Sequence, residues 1–280
     1  DGVVLINGDN VSQYSQCCNL PGNLSSIFVD QQGYIWVGGS KGLSLYYSAP
    51  FKTLGKEDGL TSEMVYAMVE DKGGRIWVGT RGGGIQYYSD GKFKAVPEDS
   101  GVPSSFIGGM LLDKDGNIWA GTSLGVVKFK PVFPLKMKEV TDVDENRIKL
   151  VSVLFQDSKK RIWAGTAEGS IYMLVKNRFA KIREVRAGDN NFIAAITEDT
   201  QNNIWFATSS GILVLKDDSF SVVNMQSGLS DNLVLSLYSD KEGFIFAGTM
   251  RKGVSIVNKE GAILNLGSEK GLCSDTIFSI

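Results

Sequence analysis

Charged side chains recur at one variable place in this chain. Lys41, Arg81, Glu168 and the pair Arg251-Lys252 each follow an Ile-aromatic motif by a few residues, where two other copies carry Leu124 and Ser210. Guanidinium and ammonium groups there suit charge-assisted hydrogen bonds to a ligand that carries a carboxylate or sulfate. If the two chain ends join to close a ring, Arg251, Lys252, Lys41 and Arg81 form a basic arc with Glu168 across from it; the competing reading is solvated loop charge. No catalytic residue is expected. Histidine is absent from all 280 residues, which removes the commonest general base and metal ligand and argues against triad hydrolysis and zinc chemistry. A glycosidase needs two acids about 5–10 Å apart across a bond, and no non-repeating carboxylate pair stands out.

Other chemical candidates reduce to structure. Asp113-Lys114-Asp115-Gly116-Asn117 has the opening of a calcium loop, but Leu124 stands where the bidentate acid belongs, so a turn is expected. Asp142, Asp144 and Glu145 form an acidic cluster that reads first as a solvated loop and second as a cation site. Tyr46, Tyr47, Tyr87 and Tyr88 have the chemistry of stacking platforms, yet they sit at repeated strand positions and read as packing. Cys17, Cys18 and Cys273 are too few for a disulfide framework and lack metal spacing; a bridge across the ends is conceivable, and idle thiols are the expectation. Neither a cofactor nor a metal is expected.

Composition sets outer bounds. Lys+Arg 29 against Asp+Glu 31 leaves a net charge of -2, without the basic stripe that a nucleic-acid partner requires. No run of 18 apolar residues exists, and the first residues lack the layout of a signal peptide. With 42% hydrophobic residues and 33 glycines against 6 prolines, many short strands joined by tight turns are expected. The abrupt strand-like start and stop suggest a piece of a longer protein that continues past Ile280.

The elements that must position these side chains are set by a repeat. Ile precedes Trp36, Trp77, Trp119, Trp163 and Trp205, and Ile245 precedes Phe246; these six aromatics are spaced by 41, 42, 44, 42 and 41 residues. A fixed period near 42 means a repeat architecture. Six residues before each aromatic stands an aspartate, at Asp30, Asp71, Asp113, Asp157, Asp199 and Asp240, and three before it Gly33, Gly74, Gly116, Lys160, Asn202 or Gly243. Aspartate opening a type I turn, followed by a residue tolerant of positive φ, is hairpin chemistry.

The apolar stretch upstream of each turn reads as a first strand buried on both faces. The aromatic strand reads as alternating, with Ile and Val or Ala inward and Trp outward. A glycine (Gly42, Gly84, Gly125, Gly169, Gly211, Gly253) opens a third strand, and Phe51, Phe93, Phe179 and Phe220 mark a weaker fourth. Four short antiparallel strands per 42 residues make an all-β fold, a β-propeller. We expect one domain over 1–280 with blades near 16–56, 57–98, 99–141, 142–184, 185–225 and 226–268. Residues 1–15 and 269–280 are expected to share a partial seventh blade, with 274–280 as its first strand.

From Gly59 to Phe93 the residues read Gly-Leu-x-Ser, an apolar strand, Glu-Asp-Lys-x-Gly-x-Ile-Trp-Val-Gly-Thr-x-x-Gly-Gly-Ile-x-Tyr-Tyr and Gly-Lys-Phe. This resembles the two-component regulator propeller repeat, in six copies over nearly the whole chain. Departures are Phe246 for Trp, Ala207 for the motif glycine and Lys160 for the turn glycine. The resemblance implies the periplasmic sensor region of a membrane-anchored histidine kinase, often a hybrid with a response regulator, that detects an oligosaccharide and controls polysaccharide-utilisation genes. It also implies a homodimer, a membrane anchor outside this segment, and further propeller and immunoglobulin-like parts. A non-catalytic interaction or spacer propeller is the alternative, and a carboxylate-based glycosidase a more remote one.

Overall fold

The structure is a computed structural model that describes residues 2–7, 10–15, 20–47, 51–185, 191–272 and 274–280. Cys17, Cys18 and Cys273 lie outside these. The chain divides into two compact units, Asp1–Val151 and Ser152–Ile280. In the first, the hairpin β1 (Gly2–Asn7) and β2 (Asn10–Ser15) precedes three four-stranded antiparallel sheets: β3 (Leu24–Val29) to β6 (Lys52–Leu54), β7 (Val65–Glu70) to β10 (Lys92–Ala95), and β11 (Ile107–Leu112) to β14 (Lys138–Val140). The second unit holds three more: β15 (Val151–Gln156) to β18 (Arg178–Glu184), β19 (Ile193–Glu198) to β22 (Ser219–Val223), and β23 (Val234–Ser239) to β26 (Ile263–Leu266). Strands pair in chain order within every sheet, which makes each a propeller blade, six among the described residues.

The hairpin between first and second strands has the same construction in all six blades. The N–H three residues past each aspartate donates to the aspartate carbonyl at 2.9–3.3 Å, and the residue there is left-handed even at Lys160 (φ 63) and Asn202 (φ 66). In the first five blades the indole Nε1 donates to the other end of the same aspartate, Oδ2, at 2.8–2.9 Å. The spacing of six thus does two jobs: one carboxylate oxygen caps the turn and the other satisfies the tryptophan. Phe246 has no N–H to offer Asp240, whose Oδ1 accepts from the Phe244 amide at 2.8 Å. Phe246→Trp is therefore expected to stabilise the protein by about 1 kcal/mol, one net hydrogen bond, read as a rise in the urea midpoint.

Burial raises the carboxyls of Asp71 and Asp113, but the indoles and the backbone N–H groups around them outweigh it, helped at Asp71 by Arg75 and at Asp113 by Asn117 and Lys128. Both end below the usual value of 3.8. Depressed folded values mean stabilisation that is complete above the unfolded value, about 3.9, and is lost as pH falls through the folded ones. The urea midpoint should fall steeply below about pH 4, and a double Asp71→Asn, Asp113→Asn variant should fall less steeply than wild type.

The second strands of the second to fourth blades are buried along their length, with Trp77 and Ile76 alike buried, and in the other three only Ile35, Trp205 and Phe246 are half-buried. Both faces of these strands are therefore interfaces between blades. Trp77 packs with Ile118, Ala120 and Phe129 of the following blade, and Trp163 with Ile204 and Phe206 of the one after it. Within each unit a blade presents its indole forward to the Ile-x-Val/Ala face of the next. The motif glycine sits in that interface. A Cβ on Gly79 or Gly165 would lie 2.5 Å from Cγ2 of Ile107 or Ile193, the residue opening the next blade, and Val65 and Ile277 crowd Gly38 and Gly248 in the same way. Ala207 is tolerated in one cluster with Val234.

Two further expectations are corrected. First strands are not uniformly buried on both faces: β15 and β23 are mostly half-buried, and Tyr66 and Tyr238 are exposed, because one side of these strands has no sheet against it. Residues 274–280 form no strand. Their backbone bonds run to the sixth blade, Gly253 N to Asp275 O and Ile277 N to Thr249 O, so Ile277 takes the place that Val65 and Ile107 occupy elsewhere. The expected fourth strands exist, and the β1–β2 hairpin packs Tyr14 on Tyr46 and Phe51.

Candidate functional site

The variable loops leave the second strands at the end opposite the aspartate turns, and the motif threonine holds them. Thr80, Thr208 and Thr249 each place Oγ1 within 3.2 Å of a carbonyl across the loop, while a loop N–H donates back to the same oxygen. Thr122 caps Leu124 N and Thr166 caps Ser170 N similarly. The first blade has Gly39 in place of threonine, and its loop, Ser40-Lys41, is as short as the fifth blade's Ser209-Ser210.

In the first unit these loops are knitted to the connections between blades. Gly42 N donates to Glu63 O and Arg81 N to Met64 O, so Lys41 and Arg81 flank one short segment. Gly82 N and Gly84 N both donate to Ser105 O, and Ser123 N to Phe106 O. From below, buried Gln86 accepts from Thr61 N at 2.9 Å and donates to Gly59 O at 3.0 Å, while Ser62 Oγ donates to Arg81 O at 2.7 Å. The Arg81 guanidinium lies 5.8 Å from the centre of the Phe106 ring, which in turn stands 5.8 Å from Tyr66 at 47°. Met64, Tyr66, Leu124 and Leu150 are exposed large apolar side chains at this end of the unit. Lys41 is exposed.

In the second unit Arg251 is committed. Its Nη2 and Nε donate to Asp231 Oδ1 and Oδ2 at 2.8 and 3.0 Å, and Asp231 is buried. The guanidinium beside it holds the Asp231 carboxyl below the usual carboxylate range, and Asp231 in turn raises Arg251. Lys252 and Glu168 are exposed. Lys252 lies near Asp275, which two hydrogen bonds from Ser268 and then this lysine hold low. Sequence spacing gave no sign of Asp231, because its twenty-residue separation from Arg251 matches no element of the repeat. Tyr66 was hidden among residues read as core.

The remaining chemical candidates are absorbed by structure. Asp113 Oδ1 accepts from the amides of Asp115 and Asn117, and Oδ2 from Trp119, which uses the would-be calcium oxygens. Asp142 Oδ1 caps Asp144 N and Asn146 N in the same kind of turn. Among the described residues no group of acids and thiols is arranged to hold a metal ion. Tyr46, Tyr87 and Tyr88 pack on Phe51, Trp77 and Phe93, whereas Tyr47 is exposed beside Tyr34.

A sequence profile described as two component regulator propeller matches residues 59–82, 101–123 and 187–210. These are two-component regulator propeller repeats. Each matched stretch runs from before a first strand to the loop after a second, which is the part of the blade carrying the aspartate turn, the indole and, at 81, the variable loop. Among solved structures, the extracellular domain assigned to a hybrid two-component system of B. thetaiotaomicron is 22% identical over 92% of this chain, with a TM-score of 0.79. The chain spans only 36% of that domain. Virginiamycin B lyase from Staphylococcus aureus aligns over 89% of this chain and 85% of its own at 14% identity and a TM-score of 0.71. PorZ, a surface component of the type-IX secretion system of Porphyromonas gingivalis, aligns over 94% of this chain and 42% of its own at 17% and 0.70. At these identities the likeness is one of fold. Comparison with curated protein sequences gives no significant match. No helix among the described residues is long and apolar enough to cross a membrane.

Proposed function

We propose that this propeller is a non-catalytic ligand-sensing module in the periplasmic sensor region of a two-component histidine kinase, where it detects an oligosaccharide and so governs genes for polysaccharide use. The observation that carries this reading is the division of labour within each repeat: aspartate, indole, glycine and threonine fix the blade, while the side chains they present differ from loop to loop. The two-component repeats and the fold shared with extracellular sensor domains support it. A catalytically inactive His-to-Ala variant is known for the staphylococcal lyase, whereas this chain contains no histidine, which argues against transfer of that chemistry. A membrane anchor and homodimerisation of the complete sensor follow from the same reading.

The test is calorimetric titration of this chain with neutral, uronic and sulfated oligosaccharides. Saturable binding of any of them supports sensing; heat of dilution alone across the panel would overturn it. A second reading, docking to another protein, is favoured by the exposed Met64, Tyr66, Leu124 and Leu150. Leu124→Ser with Leu150→Ser should leave sugar binding intact if they serve only such docking.

A further inference from the structure

Resting on the sensor reading, we propose that Arg81, Tyr66 and Phe106 form one subsite in the first unit, for a sugar ring that carries a carboxylate. Arg81 is the arginine that structure leaves available there. Its guanidinium lies against Phe106 and meets no carboxylate among the described residues, whereas Arg75, Arg147 and Arg161 are paired within their own blades and Arg251 is neutralised by Asp231. An arginine laid on an aromatic face keeps its planar fork pre-organised, and that fork matches the two oxygens of a carboxylate.

The aromatic partners are placed rather than incidental. Tyr66 stands at the register shift between Val65 and Ala67, a bulge that re-aims a side chain out of the ladder, and the residue is 38% exposed, with its ring beside Phe106. At the corresponding bulges the chain has Ser25, Gly108, Ala194 and Leu235, and at the position of Arg81 it has Ser40, Ser123, Ala167, Ser209 and Met250. Arginine with a tyrosine therefore occurs in one blade only, so the pair is not a demand of the repeat. A pyranose presents a C–H face that lies flat on such a ring, with the tyrosine hydroxyl free to bond at its edge.

The backbone around them is fixed and open. Ser62, Met64 and Ser105 bond the Arg81 loop from both sides. A Cβ placed on Gly82 or Gly84 would meet nothing within 4 Å, so the loop borders open space at both glycines.

Titration of this chain with trigalacturonate, neutral galactotriose and a sulfated galactan oligosaccharide tests the subsite, using wild type, Arg81→Ala, Arg81→Lys, Tyr66→Ala and, as control, Tyr47→Ala. Trigalacturonate should bind, Arg81→Ala and Tyr66→Ala should each weaken it roughly tenfold or more, Arg81→Lys should recover part of the loss, and Tyr47→Ala should behave as wild type. Unfolding midpoints measured alongside separate a lost site from a lost fold. Acidic-sugar binding that survives both alanine variants, or binding confined to the neutral or sulfated sugar, overturns the subsite and leaves the sensor reading standing. Silence from wild type towards all three overturns both.

Discussion

Trp77→Ala is expected to lower the free energy of unfolding by about 3–5 kcal/mol, with Trp119→Ala in the same class. Trp77 is wholly buried, and its ring centroid lies 5.0 Å from Tyr87 and 5.3 Å from Phe129 of the next blade. Truncation opens a cavity between two blades and removes the donor to a carboxylate that is itself buried. Arg75, 2.7 Å from the same oxygen, limits the second loss. Trp77→Phe separates the two effects, because it keeps most of the packing and costs only the unmade bond, about 1–3 kcal/mol. Urea titrations of the three proteins decide it; an alanine variant indistinguishable from wild type would remove the tryptophans from the interface.

Gly39→Thr restores the motif residue found in the other five blades and is nonetheless expected to destabilise by about 1–3 kcal/mol, the usual cost of overpacking. A Cβ there would press into the Pro21 carbonyl and stand 2.9 Å from Asn23 O, and both obstacles are backbone. The chain entering the first blade occupies the volume that threonine fills elsewhere. Gly248→Ala provides the comparison: its crowding comes from the Ser236 and Ile277 side chains, which can give way. A Gly39→Thr midpoint at or above wild type would show that the 20–23 segment yields instead.

Much of the blade was legible because its signals are local. Aspartate, a residue tolerant of positive φ and the aromatic lie within seven positions, so turn chemistry and strand order follow from spacing alone. The indole–carboxylate bond was concealed by its own regularity, since the turn already explained every aspartate. What sequence could not supply was contact between segments distant along the chain. Asp231 meets Arg251 across twenty residues, and Tyr66 looked like core until its bulge turned it outward. The charged positions differ accordingly: Arg81 rests on a ring and meets no carboxylate among the described residues, whereas Arg251 spends its fork on Asp231.

The two sides of a blade are unlike, one carrying an indole and the other an isoleucine with a small partner, so neighbouring blades join head to tail. Such a joint is heterologous, and it ends only where the rotation between copies closes a ring. A fragment cut between blades would bare an indole socket at one end and its complement at the other, and copies of it would add to each other in one direction. Proteolytic pieces of this chain should therefore associate through unlike ends and close into rings rather than settle as two-fold dimers.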